Sequence, residues 1–223
     1  MDHGGCFVKR LVPLLLIFLL AASVVHAYEP TKVLMFYPRH FGANSCLIRD
    51  KFEEFGWHIS TLGVTRIVQP CQGFASIFGM PAITVDYLPS EIDDISEFDC
   101  LAIVSSERSQ PSPCSDITGS QDALNLIANA VNEGLAVGVF CISVRALAAA
   151  DVLEGVNVQG PPEVQAEVVA AGGIYVGTQL PPVISGNIIS CTRGQYFNVQ
   201  NCEAFARVLD STRELALKRG EVR

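Results

Sequence analysis

Basic clusters are missing from this chain. Its 15 Lys and Arg stand against 23 Asp and Glu, a formal charge of −8. A partner of nucleic acid or of an anionic membrane surface needs a concentrated positive patch, so neither is expected. Acidity of this kind serves solubility. No Asn-x-Ser/Thr acceptor occurs, and N-glycosylation is not expected. Cys-x-x-Cys pairs are also absent, and only His40 and His58 follow the N-terminal segment. No zinc or other metal site is therefore expected, and no cofactor. Beyond the first residues nothing is long and apolar enough to span a bilayer. No internal repeat appears, and no linker long enough to divide two domains.

What is present begins with an N-terminal secretory pattern. Lys9 and Arg10 precede a nearly continuous apolar run from Leu11 to Val25, and Val25-His26-Ala27 offers small residues before a cut. Residues 1–27 are read as a signal peptide and 28–223 as one domain, with the mature chain starting at Tyr28 in the secretory lumen or outside the cell. The alternative is an uncleaved anchor, but the run falls short of the roughly 20 residues a spanning helix needs. Stable membrane insertion after cleavage is not expected. The remaining 223 − 27 = 196 residues, in a chain 49% hydrophobic and 17% charged, suit one compact domain with a large core.

An oxidising compartment agrees with the cysteine content. Of 8 cysteines, Cys6 leaves with the signal; Cys46, Cys71, Cys100, Cys114, Cys141, Cys191 and Cys202 stay. Seven is odd, so full pairing within one chain leaves a thiol over. Proximity suggests Cys191 with Cys202 and Cys100 with Cys114 as disulfides. The alternative is that several are small buried hydrophobes.

Apolar runs and periodic segments alternate along the chain. Lys32–Tyr37 reads as a buried strand and Ser45–Phe55 as a helix stopped by Gly56. Trp57–Leu62 returns as a strand, and Thr65–Pro81 as a loop or irregular hairpin. Ile83–Tyr87 follows as a short strand, then an acidic helical turn from Ser90 to Phe98. Asp99–Val104 is a strand and Ser105–Thr118 a polar loop. A helix over Gln121–Asn132 presents Leu124, Ile127, Ala128 and Val131. Leu135–Phe140 is a strand, followed after Cys141 by a helix reaching toward Gly155. Pro162–Ala171 is helical, Ile174–Val176, Val183–Ile184 and Asn187–Ser190 are strands, and a last helix runs from Asn201 to Arg219. Such alternation with apolar strands predicts an α/β fold, a mostly parallel sheet covered by helices on both faces.

In such sheets ligands bind beyond the carboxyl ends of the strands. That rule gathers Arg39, His40 and Asn44 after the first strand, Ser105, Ser106, Glu107 and Arg108 after the Asp99 strand, and Cys141 after the central one. Cys141 stands between a strand and a helix, where a sharp turn exposes a nucleophile and the positive helix end favours thiolate. His40 could pair with that cysteine as a base; its other reading is an exposed loop histidine. His58 reads as a core or edge residue. Glu107 and Arg108 read as a solvated loop pair or as substrate contacts.

Three segments together resemble the DJ-1/PfpI superfamily, relatives of class I glutamine amidotransferases. They are Phe98-Asp99-Cys100-Leu101-Ala102-Ile103-Val104, the stretch Gly134 to Gly155 around Cys141, and Ala170-Ala171-Gly172-Gly173 followed by Ile188-Ile189-Ser190-Cys191-Thr192-Arg193-Gly194. The resemblance covers roughly residues 31–210 and implies a flavodoxin-like three-layer sandwich with a nucleophile elbow at Cys141. It implies a glutamate after the first strand that bonds the cysteine sulfur; that position falls on Asn44, which cannot hold a proton but can donate to a thiolate. Ile142 stands where relatives often carry histidine, and Pro161-Pro162 where a later histidine is common. Ser105-Ser106 replaces a Gly-Gly pair that helps form an oxyanion hole, and Val139 is bulky for a tight elbow. Arg193 would orient a carboxylate or tie down its turn.

The function implied is a reactive-cysteine protein with a binding, redox or chaperone-like role, or a cysteine-dependent hydrolase or glyoxalase/deglycase-like enzyme. A small carbonyl or peptide-like ligand and a homodimer are further expectations from the resemblance.

Overall fold

The computed structural model describes residues 30–71, 79–107, 110–178, 181–192 and 203–212. The expected signal segment, Arg108, Arg193 and Cys202 lie outside these.

Six strands form the main sheet. β1 (Lys32–Tyr37), β3 (His58–Gly63), β6 (Cys100–Ile103), β7 (Ala136–Phe140) and β11 (Ile188–Cys191) run parallel, and β10 (Val183–Ser185) closes one edge antiparallel to β11. Their order is β10-β11-β7-β6-β1-β3. β6 and β7 lie in the middle, and every residue of both is buried. That is why their sequences are apolar throughout instead of alternating. Small sheets flank the main one: β2 (His40–Phe41), β4 (Ile67–Pro70) and β5 (Ile83–Thr84) make one, β8 (Asn157–Val158) and β9 (Ile174–Tyr175) the other.

Helices cover the sheet. α1 (Asn44–Glu54) buries Ser45, Ile48 and Phe52 and stops at Gly56, whose φ of 72° suits glycine. α2 (Ser115–Thr118) is a single turn; α3 (Gln121–Asn132) packs on β7 and on α4 (Val144–Ala149), and α5 (Gln165–Ala170) packs on α4. Residues 203–212 form α6. Its Phe205 crosses Phe140 edge-on, with centroids 5.7 Å apart. A Cβ on Gly138 would come within 2.5 Å of that Phe205 ring, so the strand needs glycine there for α6 to seat. Period-two alternation turns Val137 and Val139 to the opposite face. The architecture is the expected flavodoxin-like α/β sandwich with a mostly parallel sheet.

Three expectations need correction. α3 has the expected ends, but its buried stripe is Ala123, Leu126, Ile127 and Ala130. The helix is apolar on more than one side, so two stripes of equal spacing competed and packing chose between them. The acidic segment from Ser90 is no helix; two 3₁₀ turns, Pro89–Glu91 and Ile95–Glu97, replace it. The disulfides are the third. Cys46, Cys71, Cys100, Cys114, Cys141 and Cys191 all carry thiols instead of bridges. Cys100 opens β6, while Cys114 sits beside Ser106 beyond the far end of that strand. At about 3.3 Å per strand residue, the two Cα atoms lie outside the ~7 Å a disulfide allows. Cys191 is buried at the end of β11, and its expected partner Cys202 lies outside the described residues.

Candidate functional site

The backbone at Cys141 is left-handed, with φ 59°. Only three non-glycine residues among those described have positive φ: Cys114, Cys141 and Asp151. For an L-residue with a β-carbon this conformation costs roughly 1–2 kcal/mol, so the surroundings must hold it. They do so through Ser143, which is fully buried. Its hydroxyl accepts the Phe140 N–H at 3.0 Å. The hydroxyl proton can go to the Ile103 carbonyl at 2.9 Å or the Phe140 carbonyl at 2.8 Å. One side chain thus clamps the end of β7, the turn Cys141–Ser143 and the neighbouring strand β6. This is a strand–turn–helix elbow with a cysteine at its tip.

The elbow is tighter in surroundings than in helix length. α4 has 6 residues after a 3₁₀ turn, shorter than the segment expected to run toward Gly155. The helical field at the sulfur is correspondingly smaller than the sequence implied. Cys141 is 4% exposed and Ile142 is buried behind it. Gly160 closes the other side: a Cβ there would meet Val164 at 2.6 Å and Val144 at 3.1 Å, with the Cys141 carbonyl at 3.9 Å. Pro161 and Pro162, where the resemblance implies a histidine, follow directly on a segment packed against the elbow. No imidazole is offered from there.

Two groups of side chains gather at the carboxyl ends of β1 and β6. In the first, the Gly42 N–H bonds the Ser105 carbonyl at 2.8 Å. A Cβ on Gly42 would lie 2.8 Å from Asn44 Oδ1, 3.2 Å from the Ser105 carbonyl and 3.4 Å from Glu107 Cγ. Asn44, Ser105 and Glu107 therefore converge over one glycine. Glu107 is only 8% exposed, which overturns the reading of it as a solvated loop residue. The loop after β6 turns inward, and the Glu107 N–H reaches Cys71 Sγ at 3.5 Å. The Cys71 thiol is itself bonded to the His40 carbonyl at 3.2 Å. Burial first of all, and the Glu107 charge in addition, raise the Cys71 pKa against the lowering effect of that N–H bond.

The second group joins Ser106 and Cys114. Ser106 Oγ accepts the Cys114 N–H at 3.3 Å, with Cys114 Sγ at 3.7 Å. Burial pushes the Cys114 thiol up to about 11; its bonds to Ser106 work against this, and the Asp116 charge, followed by a charge on Cys141, adds to it. The Arg39 N–H bonds Asp116 Oδ2 at 2.6 Å, which ties α2 over the end of β1.

His40 is exposed on β2, so its side chain takes the setting of the loop histidine. His58 is exposed on the edge strand β3. Among the described residues no group of three His, Cys, Asp or Glu is placed to hold a metal ion, and no helix is long and apolar enough to cross a membrane. Sequence reading missed Glu107 as a buried carboxylate and Cys114 as a neighbour of the elbow. A glutamate in a Ser- and Pro-rich loop gives no burial signal, and Cys114 entered only as a disulfide guess.

The flavodoxin-like sandwich is a fold this chain shares with solved structures. A ThiJ/PfpI domain protein from Brachyspira murdochii superposes with a TM-score of 0.68 at 18% identity, covering 84% of this chain and 99% of that one. Oxidized DJ-1 from Toxoplasma gondii gives 0.61 at 16% identity, covering 84% and 97%. Schizosaccharomyces pombe DJ-1 gives 0.61 at 13%, covering 85% and 98%. No family model matches the sequence, and no curated protein does. The chain has the DJ-1/PfpI superfamily fold.

Proposed function

We propose that this chain is a secretory-pathway protein whose elbow cysteine, Cys141, is a reactive thiol serving a binding, redox or chaperone-like role. The observation that carries the reading is the left-handed backbone at Cys141, held by Ser143. Strain kept at a polar, chemically capable residue is a mark of function. Asn44 donates to the thiolate in this reading, in place of a glutamate that would also move protons. The N-terminal pattern of basic, apolar and small residues supports the lumenal location. Thiols survive an oxidising compartment when buried, as five of the six described cysteines are.

The test is competitive alkylation of the chain from Tyr28 at pH 7, mapped peptide by peptide. Cys141 should react ahead of Cys100 and Cys191, which are fully buried in regular strands. Equal, slow reaction at all three would sink the reading.

A second reading, a cysteine-dependent hydrolase or glyoxalase/deglycase-like enzyme, draws on Glu107. A buried carboxylate beside Asn44 offers the proton acceptor that Asn44 is not. Turnover of methylglyoxal or a small amide, lost in Cys141→Ser and strongly reduced in Glu107→Gln, would favour it over the first.

A further inference from the structure

We propose that Cys114 is the resolving thiol for Cys141, so that a small hydroperoxide converts the two into a disulfide. The inference rests on the reading of Cys141 as a reactive thiol and adds a partner and an oxidant class to it.

Both cysteines are buried, and both are held left-handed, at φ 61° and 59°. The one other described non-glycine residue of that kind, Asp151, is exposed in a turn. Two strained thiols at one sheet edge are therefore a coincidence that calls for a cause. Ser106 links them. β6 pairs with β7 in a register that sets Ile103 opposite Val139. Ser105-Ser106 and Cys141 thus follow the ends of two neighbouring strands. Ser106 Oγ holds both the N–H and the thiol of Cys114. α2, which Cys114 caps, packs on α4, which the Cys141 turn leads into.

The two residues on either side of Cys114, Pro113 and Ser115, line a groove that continues over Arg145 and Ala148. Cys114 also ends an irregular segment of bends and turns, while Cys141 is fixed by Ser143. Cys114 is thus the partner that moves, and closing the bond releases its left-handed backbone. The narrow exposure of Cys141 selects hydrogen peroxide or a small alkyl hydroperoxide over bulky oxidants.

The chemistry balances in two steps. The Cys141 thiolate attacks the outer peroxide oxygen; an S–O bond forms, the O–O bond breaks, and the leaving alkoxide or hydroxide takes a proton. Cys114 sulfur then attacks Cys141 sulfur; the S–S bond forms and the S–O bond breaks. The departing hydroxide leaves as water with the Cys114 thiol proton. Sulfur loses two electrons and the peroxide gains them.

The experiment treats the full mature chain with one equivalent of hydrogen peroxide, blocks remaining thiols with N-ethylmaleimide, and maps peptides without reduction. A Cys114–Cys141 crosslink reversed by dithiothreitol is expected, with thiols lost in pairs. In Cys114→Ala, dimedone should trap Cys141 sulfenic acid, and longer exposure should carry it to sulfinic acid that dithiothreitol does not reverse. If wild-type Cys141 goes to sulfinic acid while Cys114 stays alkylatable, the resolving role is overturned and the reactive Cys141 stands. If Cys141 is untouched by both peroxide and alkylation, the underlying reading falls as well. The wild-type map alone decides the pairing, so a variant that fails to fold does not leave it open.

Discussion

Replacing Ser143 with alanine removes one oxygen, and the structure states what that oxygen holds. The Phe140 N–H loses an acceptor at 3.0 Å in a site with no solvent access. An orphaned buried donor costs about 1–3 kcal/mol. The hydroxyl also donates to a carbonyl of Ile103 or Phe140, a bond worth about 1 kcal/mol net. The two do not add fully, because both carbonyls keep room for other donors, so about 2–3 kcal/mol is expected. For a domain of this size each kcal/mol lowers Tm by roughly 2–4 °C, which gives a fall of about 4–12 °C. Thermal unfolding followed by circular dichroism measures it, with urea unfolding at unchanged slope to show that the denatured state is the same. The left-handed turn should loosen too, and alkylation of Cys141 at pH 7 should lose its lead over Cys100. A Tm within about 1 °C of wild type, with Cys141 reactivity intact, would refute the claim that Ser143 holds the elbow.

Three other outcomes are expected. Gly138→Ala sets a methyl 2.5 Å from the Phe205 ring and should cost about 1–3 kcal/mol by overpacking; in a Phe205→Leu background the added cost should shrink, and an unchanged cost would place the strain elsewhere. Burial holds the Cys114 thiol protonated up to about 11, whereas the unfolded chain ionises it near 8.5. The unfolded state therefore gains as pH rises between those values, and stability should fall there by about 1.4 kcal/mol per unit. Denaturant midpoints of wild type and Cys114→Ala at pH 7 and 10 check this, the variant showing the smaller alkaline loss. Glu107→Gln removes a charge that opposes Cys71 ionisation, while burial remains the larger cause. Cys71 should then alkylate faster at pH 9, by less than about tenfold, and an unchanged rate would separate Glu107 from Cys71.

How far the site could be read in advance depended on whether its parts were local. The elbow was local. An apolar strand ending at Phe140, a cysteine, and a segment that can turn into helix already specify a strand–turn–helix unit, and Ser143 two residues on supplies the clamp. Asn44 entered through the family resemblance, and the structure sets it at the start of α1 over Gly42. Glu107 and Cys114 were not local. Both sit in a Ser- and Pro-rich stretch whose composition reads as solvated, and only the return of that stretch over β6 buries one and sets the other on Ser106. The same limit explains α3, where Gln121–Asn132 was legible as a helix but its buried stripe was not.

By itself, then, the sequence determined the alternation of strands and helices, the parallel sheet, and a cysteine at the turn after its central strand. These follow from apolar runs, breakers and chain order, which act over a few residues. The tertiary structure decided which cysteines meet, which acids lose water and which helix face is covered. Those depend on contacts between segments tens of residues apart. Cys100 and Cys114, close in sequence, are separated by the length of a strand, whereas the turns that carry Cys114 and Cys141 lead into helices α2 and α4, which pack together.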